Sequence, residues 1–352
     1  MYNKLKIVVT IQLLFLKSIA MALIGRAMFH RLNQQNSQVI VWQRLRFWYA
    51  YKTIQAQVKR CGYYGSIMPP KVIVQRSTFL KFPNIFHIVF GYCWNLVVYK
   101  NKTMILKIKN AADPYLKDEG GFTLMLYERI LGRRGKIAWL TLDQSFKIIA
   151  SGDMDGLEDG HKSYPQVFKL GEQEYFTCES CECGKTRIYQ YFFCHNKKAP
   201  LIGDLVCEIP FGVCDPFISK IDDNTFIMVG TCRYTEHEDY LYPIALRITV
   251  NGDKFQIEQL KNYEFDLLDL NVRGGGHFGS DKVRIIQRQG ISRYGCGIEV
   301  SRVEVNSERM REIQREKVTS EIGREVSEHS DVHHYSQTPN GIYAFDFKTL
   351  GR

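Results

Sequence analysis

The 352-residue sequence predicts an all-β fold, a five-bladed β-propeller preceded by a basic, helical N-terminal segment, on three observations. From about residue 84 onward, short Tyr/Phe/Ile/Val runs alternate with turn residues at roughly ten-residue spacing, as in barrels, sandwiches and propellers. A supersecondary unit recurs with a period of about fifty residues, which suits four-stranded blades. Finally, no Asp or Glu precedes Asp113, so two compositionally different segments are joined. Residues 1–112 hold 11 Lys and 6 Arg, whereas the chain as a whole balances 47 basic against 37 acidic groups.

The front end, 1–78, divides into two helical stretches. Residues 1–29 have a basic start and an apolar run over 7–16 that Lys17 interrupts, followed by Ala20-Met21-Ala22. This reads as a signal peptide or anchor, an acid-poor transit peptide, or an amphipathic helix on a membrane or on the main domain. Residues 38–60 repeat Val41, Leu45, Trp48 and Tyr51 at helical spacing among Arg44, Arg46, Lys52 and Lys59. A membrane surface is the expected partner of residues 1–60; nucleic acid is not, because no nucleic-acid motif accompanies the charge. Placement at a membrane or in the cytoplasm is expected, and the Asn101-Lys-Thr103 sequon leaves a secretory route open. Gly62, Gly65 and Met68-Pro-Pro mark the boundary, and the propeller is assigned to 79–352.

Within 79–352 the strand pattern is interrupted only at 306–326, where a basic-acidic stretch has helical periodicity. The repeated unit is an X-Pro-aromatic or related motif: Ala112-Asp113-Pro114-Tyr115, Ser163-Tyr164-Pro165, Cys214-Asp215-Pro216-Phe217, Arg273-Gly-Gly-Gly-His277 and His333-His334-Tyr335. In a propeller the first strand of each blade lines the central channel, so these motifs should converge on the mouth of the axis. Proline is tolerated there because the innermost strand has a free edge.

The ordered string ADPYL, LMLYER, GKIAWLTLD, HKSYPQVF, EYFTCES, CDPFI, RGGGHF, RYG and VHHYS resembles the five-bladed propeller at the N-terminal end of plant glucosamine inositolphosphorylceramide transferases. Related propellers occur in bacterial polysaccharide-assembly proteins, and the group resembles glycoside hydrolase families 43 and 32. The resemblance covers roughly 80–350. It implies carboxylates at the axial funnel: an Asp base or nucleophile, a second Asp that orients and tunes, and a Glu acid. By position these are Asp113, Asp215 and Glu179. The resemblance also places Glu128, His161, Ser163, Tyr164, Arg273 and His333 in the substrate site. Such a carboxylate set is what glycosyl transfer or hydrolysis requires, with one acid to protonate the leaving oxygen and one carboxylate to activate or attack. Position 178 is Cys where the family usually has Pro, the Gln287-Arg288-Gln289 region offers several registers, and the family's transferase domain is not expected on this chain.

Two other clusters are weighed and set aside. Cys178, Cys181 and Cys183 could bind zinc with Cys194 or His195, but Cys-x-Cys does not match paired structural ligands, and a strand with a hairpin turn at Cys183-Gly184-Lys185 is favoured. Asp153, Asp155, Glu158 and Asp159 lack the distal Glu of a calcium loop and read as a solvated interblade loop. No metal and no cofactor is expected. The expected function is a carbohydrate-active protein of glycoconjugate synthesis, binding a sugar, sugar nucleotide or glycolipid in the funnel and catalysing glycosyl transfer or hydrolysis. The alternative is a non-catalytic glycan-binding or scaffolding propeller that works with a separate glycosyltransferase.

Overall fold

A computed structural model describes residues 92–132, 134–180, 184–210, 212–233, 242–252, 254–260, 265–266, 274–278, 282–287, 297–306, 310–317, 326 and 332–350. The helices and the membrane contact expected of the front end lie outside these residues, as does Arg273.

The strands form five antiparallel blades. The chain enters through β1 (Tyr92–Lys100) and β2 (Thr103–Lys109). Blade 1 follows as β3 (Ala111–Asp118), β4 (Thr123–Leu131), β5 (Arg134–Leu142) and β6 (Ile148–Asp153). Blade 2 is β7 (Ser163–Leu170), β8 (Gln173–Glu179), β9 (Thr186–Cys194) and β10 (Ala199–Ile209). Blade 3 is β11 (Gly212–Lys220), β12 (Thr225–Arg233), β13 (Tyr242–Asn251) and β14 (Lys254–Gln259). A short β15 (Phe265–Asp266) pairs in parallel with the outer strand of blade 4, which is β16 (Gly274–Phe278), β17 (Val283–Gln287), β18 (Ile298–Val305) and β19 (Met310–Lys317). Blade 5 opens with β20 (Val332–Gln337) and β21 (Ile342–Leu350).

Blade 5 is completed from the other end of the chain. β1 pairs antiparallel with β21 from Tyr92↔Leu350 to Lys100↔Ile342, so the four strands run β20-β21-β1-β2. This bond between distant segments closes the ring. Closure removes the exposed flanks that an open stack of blades would present.

Five apolar clusters fill the five blade-to-blade interfaces. Leu126, Ile137, Val167, Phe176 and Tyr189 join blades 1 and 2, and Ile188, Val213, Phe226 and Leu246 join blades 2 and 3. Phe217, Val229, Val303 and Met310 join blades 3 and 4; Ile285, Val300, Tyr335 and Phe345 join blades 4 and 5. Leu96, Val98, Leu116, Met125 and Ala344 seal blade 5 against blade 1. Period-2 alternation in each strand supplies these faces, because successive side chains point to opposite sides of a sheet.

One sequence expectation is corrected. The helical stretch at 306–326 holds strand β19, paired antiparallel with β18 from Val305↔Met310 to Glu299↔Lys317. Its burial alternates at the start, with Met310 and Glu312 inside and Arg311 and Ile313 outside. A buried Glu and an outward Ile hide the strand period from hydrophobicity alone. Pairing with β18 overrides the local helical tendency.

Candidate axial site

The innermost strands β3, β7, β11, β16 and β20 each carry a bulge at the same level. Ladder pairing slips between Ala112 and Tyr115, Ser163 and Gln166, Cys214 and Phe217, Gly274 and His277, and Val332 and Tyr335. In blades 1 to 3 the bulge is the X-Pro pair, and the residue before proline takes a positive φ: 53° at Asp113, 47° at Tyr164 and 43° at Asp215. Proline has no N–H to lose from the ladder, and the bulge turns the preceding residue toward the axis. Such backbone is strained by about 1–3 kcal/mol for a non-glycine residue and persists only when surrounding bonds hold it.

Those bonds come from carboxylates. Asp113 N–H donates to Asp346 Oδ2 of blade 5 at 2.8 Å, and Tyr164 N–H donates to Asp113 Oδ2 at 2.9 Å. Asp215 N–H donates to Glu179 Oε2 of blade 2 at 3.0 Å. Each bulge is thus tied to the blade before it in the ring. In blade 4 glycines perform the turn: Gly276 has φ 124°, and a Cβ there would fall 1.6 Å from the Tyr335 carbonyl oxygen.

A cavity of about 590 Å³ opens over these bulges. Asp113, Glu128, Glu179 and Asp215 line it together with His161, Ser163, His333, Trp94 and Arg134. The three expected catalytic carboxylates are therefore brought to one cavity, and so are Glu128, His161, Ser163 and His333. Tyr164 lies behind the wall: its ring is buried, and its hydroxyl donates to Gly276 O at 3.3 Å and accepts from Gly276 N–H at 3.2 Å.

Beneath the cavity floor sits a charged knot. His334 Nδ1 contacts Asp113 Oδ1 at 2.5 Å, and its Nε2 lies 3.9 Å from Asp215 Oδ1. Gln287 Nε2 donates to Asp215 Oδ2 at 2.9 Å and to Gly274 O at 3.0 Å, and lies 2.9 Å from His334 Nε2. Asp346, fully buried, also accepts from the N–H groups of His333 at 3.2 Å and His334 at 2.7 Å. Burial works to raise the Asp113 pKa, yet His334 and then His333 outweigh it and hold the carboxylate below its ordinary value. Burial likewise opposes a charge on His334, and Asp113 with Asp346 raises its pKa well above the usual imidazole value. Burial and the neighbouring His334 charge lower His333. Asp113, His333, His334 and Asp346 each bring a ligand-type atom within 4.8 Å of the others. The 2.5 Å contact between His334 and Asp113 is an ion-pair distance that leaves no space for a cation between those two atoms.

Glu128 is held differently. It leaves β4 opposite Ala112, and the neighbouring strand makes room for it at Gly135, where a Cβ would fall 2.0 Å from Glu128 Oε1. His161 Nδ1 accepts from Gly135 N–H at 2.8 Å, and its Nε2 stands 3.8 Å from Glu128 Oε1. Burial first, then the charges of Asp113 and Glu179, push the Glu128 carboxyl well above the usual carboxylate range.

Sequence reasoning missed Asp346, His334 and Gln287 as site residues. Asp346 carried a faint signal, a carboxylate between Phe345 and Phe347 in an alternating strand where Asp is disfavoured. Of the Gln287-Arg288-Gln289 registers, Gln287 reaches the axis; 288 and 289 lie outside the described residues. Cys178 is a thiol, not a disulfide, buried between blades 1 and 2, and Cys181 and Cys183 lie outside the described residues. Glu158 is paired with Lys162 at 3.2 Å and accepts from Tyr189 at 2.8 Å, as a structured loop carboxylate would be.

No family model and no curated protein matches the chain. Among solved structures it is similar to a thermostable family-43 glycoside hydrolase at 13% identity, over 68% of this chain and 89% of that one, with a TM-score of 0.43. It is similar to an endo-1,4-beta-xylanase from Bacteroides thetaiotaomicron at 14% identity, over 67% and 84%, with a TM-score of 0.44. A third likeness is to the alpha-L-arabinofuranosidase of Podospora anserina in complex with cellotriose, at 13% identity over 71% and 85%, with a TM-score of 0.41.

Proposed function

We propose that this protein is a carbohydrate-active enzyme that breaks or exchanges a glycosidic bond in the axial cavity. The observation that carries the reading is the convergence of four carboxylates from three blades on one cavity, where two of them are pushed in opposite directions: His334 and His333 lower Asp113 against its burial, and burial with the neighbouring carboxylates raises Glu128. Titratable groups whose surroundings push them apart in pKa are the signature of acid–base division of labour. Glycosyl chemistry needs that division: a proton for the departing oxygen, and a carboxylate to activate the incoming hydroxyl or to attack. Asp113 is the ionised member, and Asp215 orients and tunes it through His334. Glu179 is the family-aligned acid. A cavity of this size holds a sugar unit of the substrate. Water as acceptor gives hydrolysis and a sugar or lipid hydroxyl gives transfer; the resemblance to glucosamine inositolphosphorylceramide transferases favours transfer in glycoconjugate synthesis.

A second reading has a specific observation behind it. Both Asp113 oxygens and one Glu179 oxygen already hold protein groups, which suits a propeller that only binds a glycan for a separate glycosyltransferase. A screen of glycans, nucleotide sugars and 4-nitrophenyl glycosides with the full chain, repeated with Asp113→Asn, separates the two. Turnover abolished by Asp113→Asn supports the enzyme; glycan binding without turnover supports the scaffold. If nothing binds and nothing turns over, the axial site is not a sugar site.

A further inference from the structure

We propose that Glu128, rather than its counterpart Glu179, is the proton donor of the axial site, an inference that rests on the glycosyl reading above. The two glutamates are the same position of successive blades. Glu128 on β4 faces Ala112, and Glu179 on β8 faces Ser163, each one residue before the positive-φ bulge residue of its blade. Both are 8% exposed and both line the cavity, so position and access do not separate them.

Their partners do. Glu179 reaches forward to the next blade and accepts the Asp215 N–H, the bond that holds the strained Asp215 bulge. The matching amide in front of Glu128 is Tyr164 N–H, and Asp113 Oδ2 has already taken it at 2.9 Å. Glu128 is thereby released from the duty its counterpart performs. Its polar neighbour is His161 Nε2 at 3.8 Å, and Gly135 leaves the carboxyl space that a side chain there would fill. A proton donor must keep its proton at working pH and be free to give it up. Glu128 suits both needs better than Glu179: the amide it would have held is already taken by Asp113, and burial first, then the charges of Asp113, Glu179 and Asp346, raise its pKa, with His161 and His334 as the opposing groups. Glu179, anchored to backbone, would have to drop Asp215 to move.

In the step that follows, the Glu128 O–H proton passes to the glycosidic oxygen as the bond from that oxygen to the anomeric carbon breaks. The leaving group departs as an alcohol with the bonding electron pair. A water oxygen, or an acceptor hydroxyl, bonds to the anomeric carbon and gives its proton to Asp113. Exchange with solvent then returns a proton to Glu128 and removes one from Asp113, so charge and atoms balance.

The test uses the full chain with Glu128→Gln and Glu179→Gln, assayed on paired 2,4-dinitrophenyl and alkyl glycosides of the sugars that wild type accepts. Glu128→Gln is expected to lose at least 100-fold on alkyl glycosides and far less on dinitrophenyl glycosides, whose leaving group needs no proton. Glu179→Gln should lose equally on both. The reverse pattern overturns the proposal. Infrared difference spectra supply a readout without turnover: the protonated-carboxyl band at pH 7 should vanish in Glu128→Gln and persist in Glu179→Gln, and its survival in Glu128→Gln also overturns the proposal. Wild type inert on every glycoside, with the band still lost in Glu128→Gln, overturns the glycosyl reading while leaving the proton where the structure assigns it.

Discussion

Blades 1 and 2 present the same device to the axis and use it for different ends. Each has an X-Pro bulge on its inner strand and a glutamate one strand out, in the same register. In blade 2 the bulge residue is Tyr164, whose side chain turns away to hold Gly276, and Glu179 binds the next bulge. In blade 1 the bulge residue is Asp113, which takes over the link to the next blade with its own carboxylate and frees Glu128. Blade 5 supplies the third version: Asp346 receives the Asp113 N–H and both histidine amides. A repeated scaffold can therefore divide its carboxylates between those that hold the next blade's backbone and those that do not by a single change of residue in the bulge.

The comparison can be broken most strongly at Asp346. Asp346→Ala strips the acceptor from three buried amides and leaves His334 without one of its three carboxylates, so unfolding free energy should fall by about 3–5 kcal/mol. Denaturant titration reads this directly, and a loss below about 1 kcal/mol would show that the anchor is not needed. Gly135→Ala comes next. Its new Cβ meets the flexible end of Glu128, so the fold should survive within about 1 kcal/mol while turnover drops by about 100-fold, the scale of a misplaced general acid. Unchanged turnover with an unchanged melting temperature would place Glu128 outside the chemistry.

Smaller effects sharpen the contrast between the two glutamates. Glu179→Ala leaves the buried Asp215 N–H without its acceptor and should cost about 1–3 kcal/mol in urea unfolding, whereas Glu128→Ala should cost less. Equal costs would erase the distinction drawn here. Last is a pH effect. The folded-state pKa of Glu128 is raised above its unfolded value, so its contribution to stability is full below the unfolded pKa and is lost as pH rises through the folded pKa. Glu128→Gln has no such loss. Its melting temperature should match wild type near pH 4 and exceed it in alkaline buffer; equal melting temperatures in alkaline buffer would show that Glu128 carries no raised pKa.

The β-propeller was legible because its signals are local. Period-2 strands, a unit repeating near fifty residues and proline after the bulge residue are all properties of short stretches, and they pointed to Asp113 and Asp215 on the axis, whereas Glu179 was expected there through the family resemblance. The 306–326 segment was misread for the same reason, since its strand character comes from pairing with β18 and not from its own pattern.

Sequence alone determined the number of blades, the strands that face the axis and the place of Asp113 and Asp215 on them, because each follows from residue order within a blade; Glu128 and Glu179 were expected there through the family resemblance. Only the tertiary structure decided that β1 and β2 complete blade 5, that Asp346 and His334 grip Asp113 from more than two hundred residues away, and that Glu128 and Glu179 part company. Those facts depend on which amide is already occupied when two blades meet. Closing the ring sets that occupancy, and no single stretch of the chain contains it.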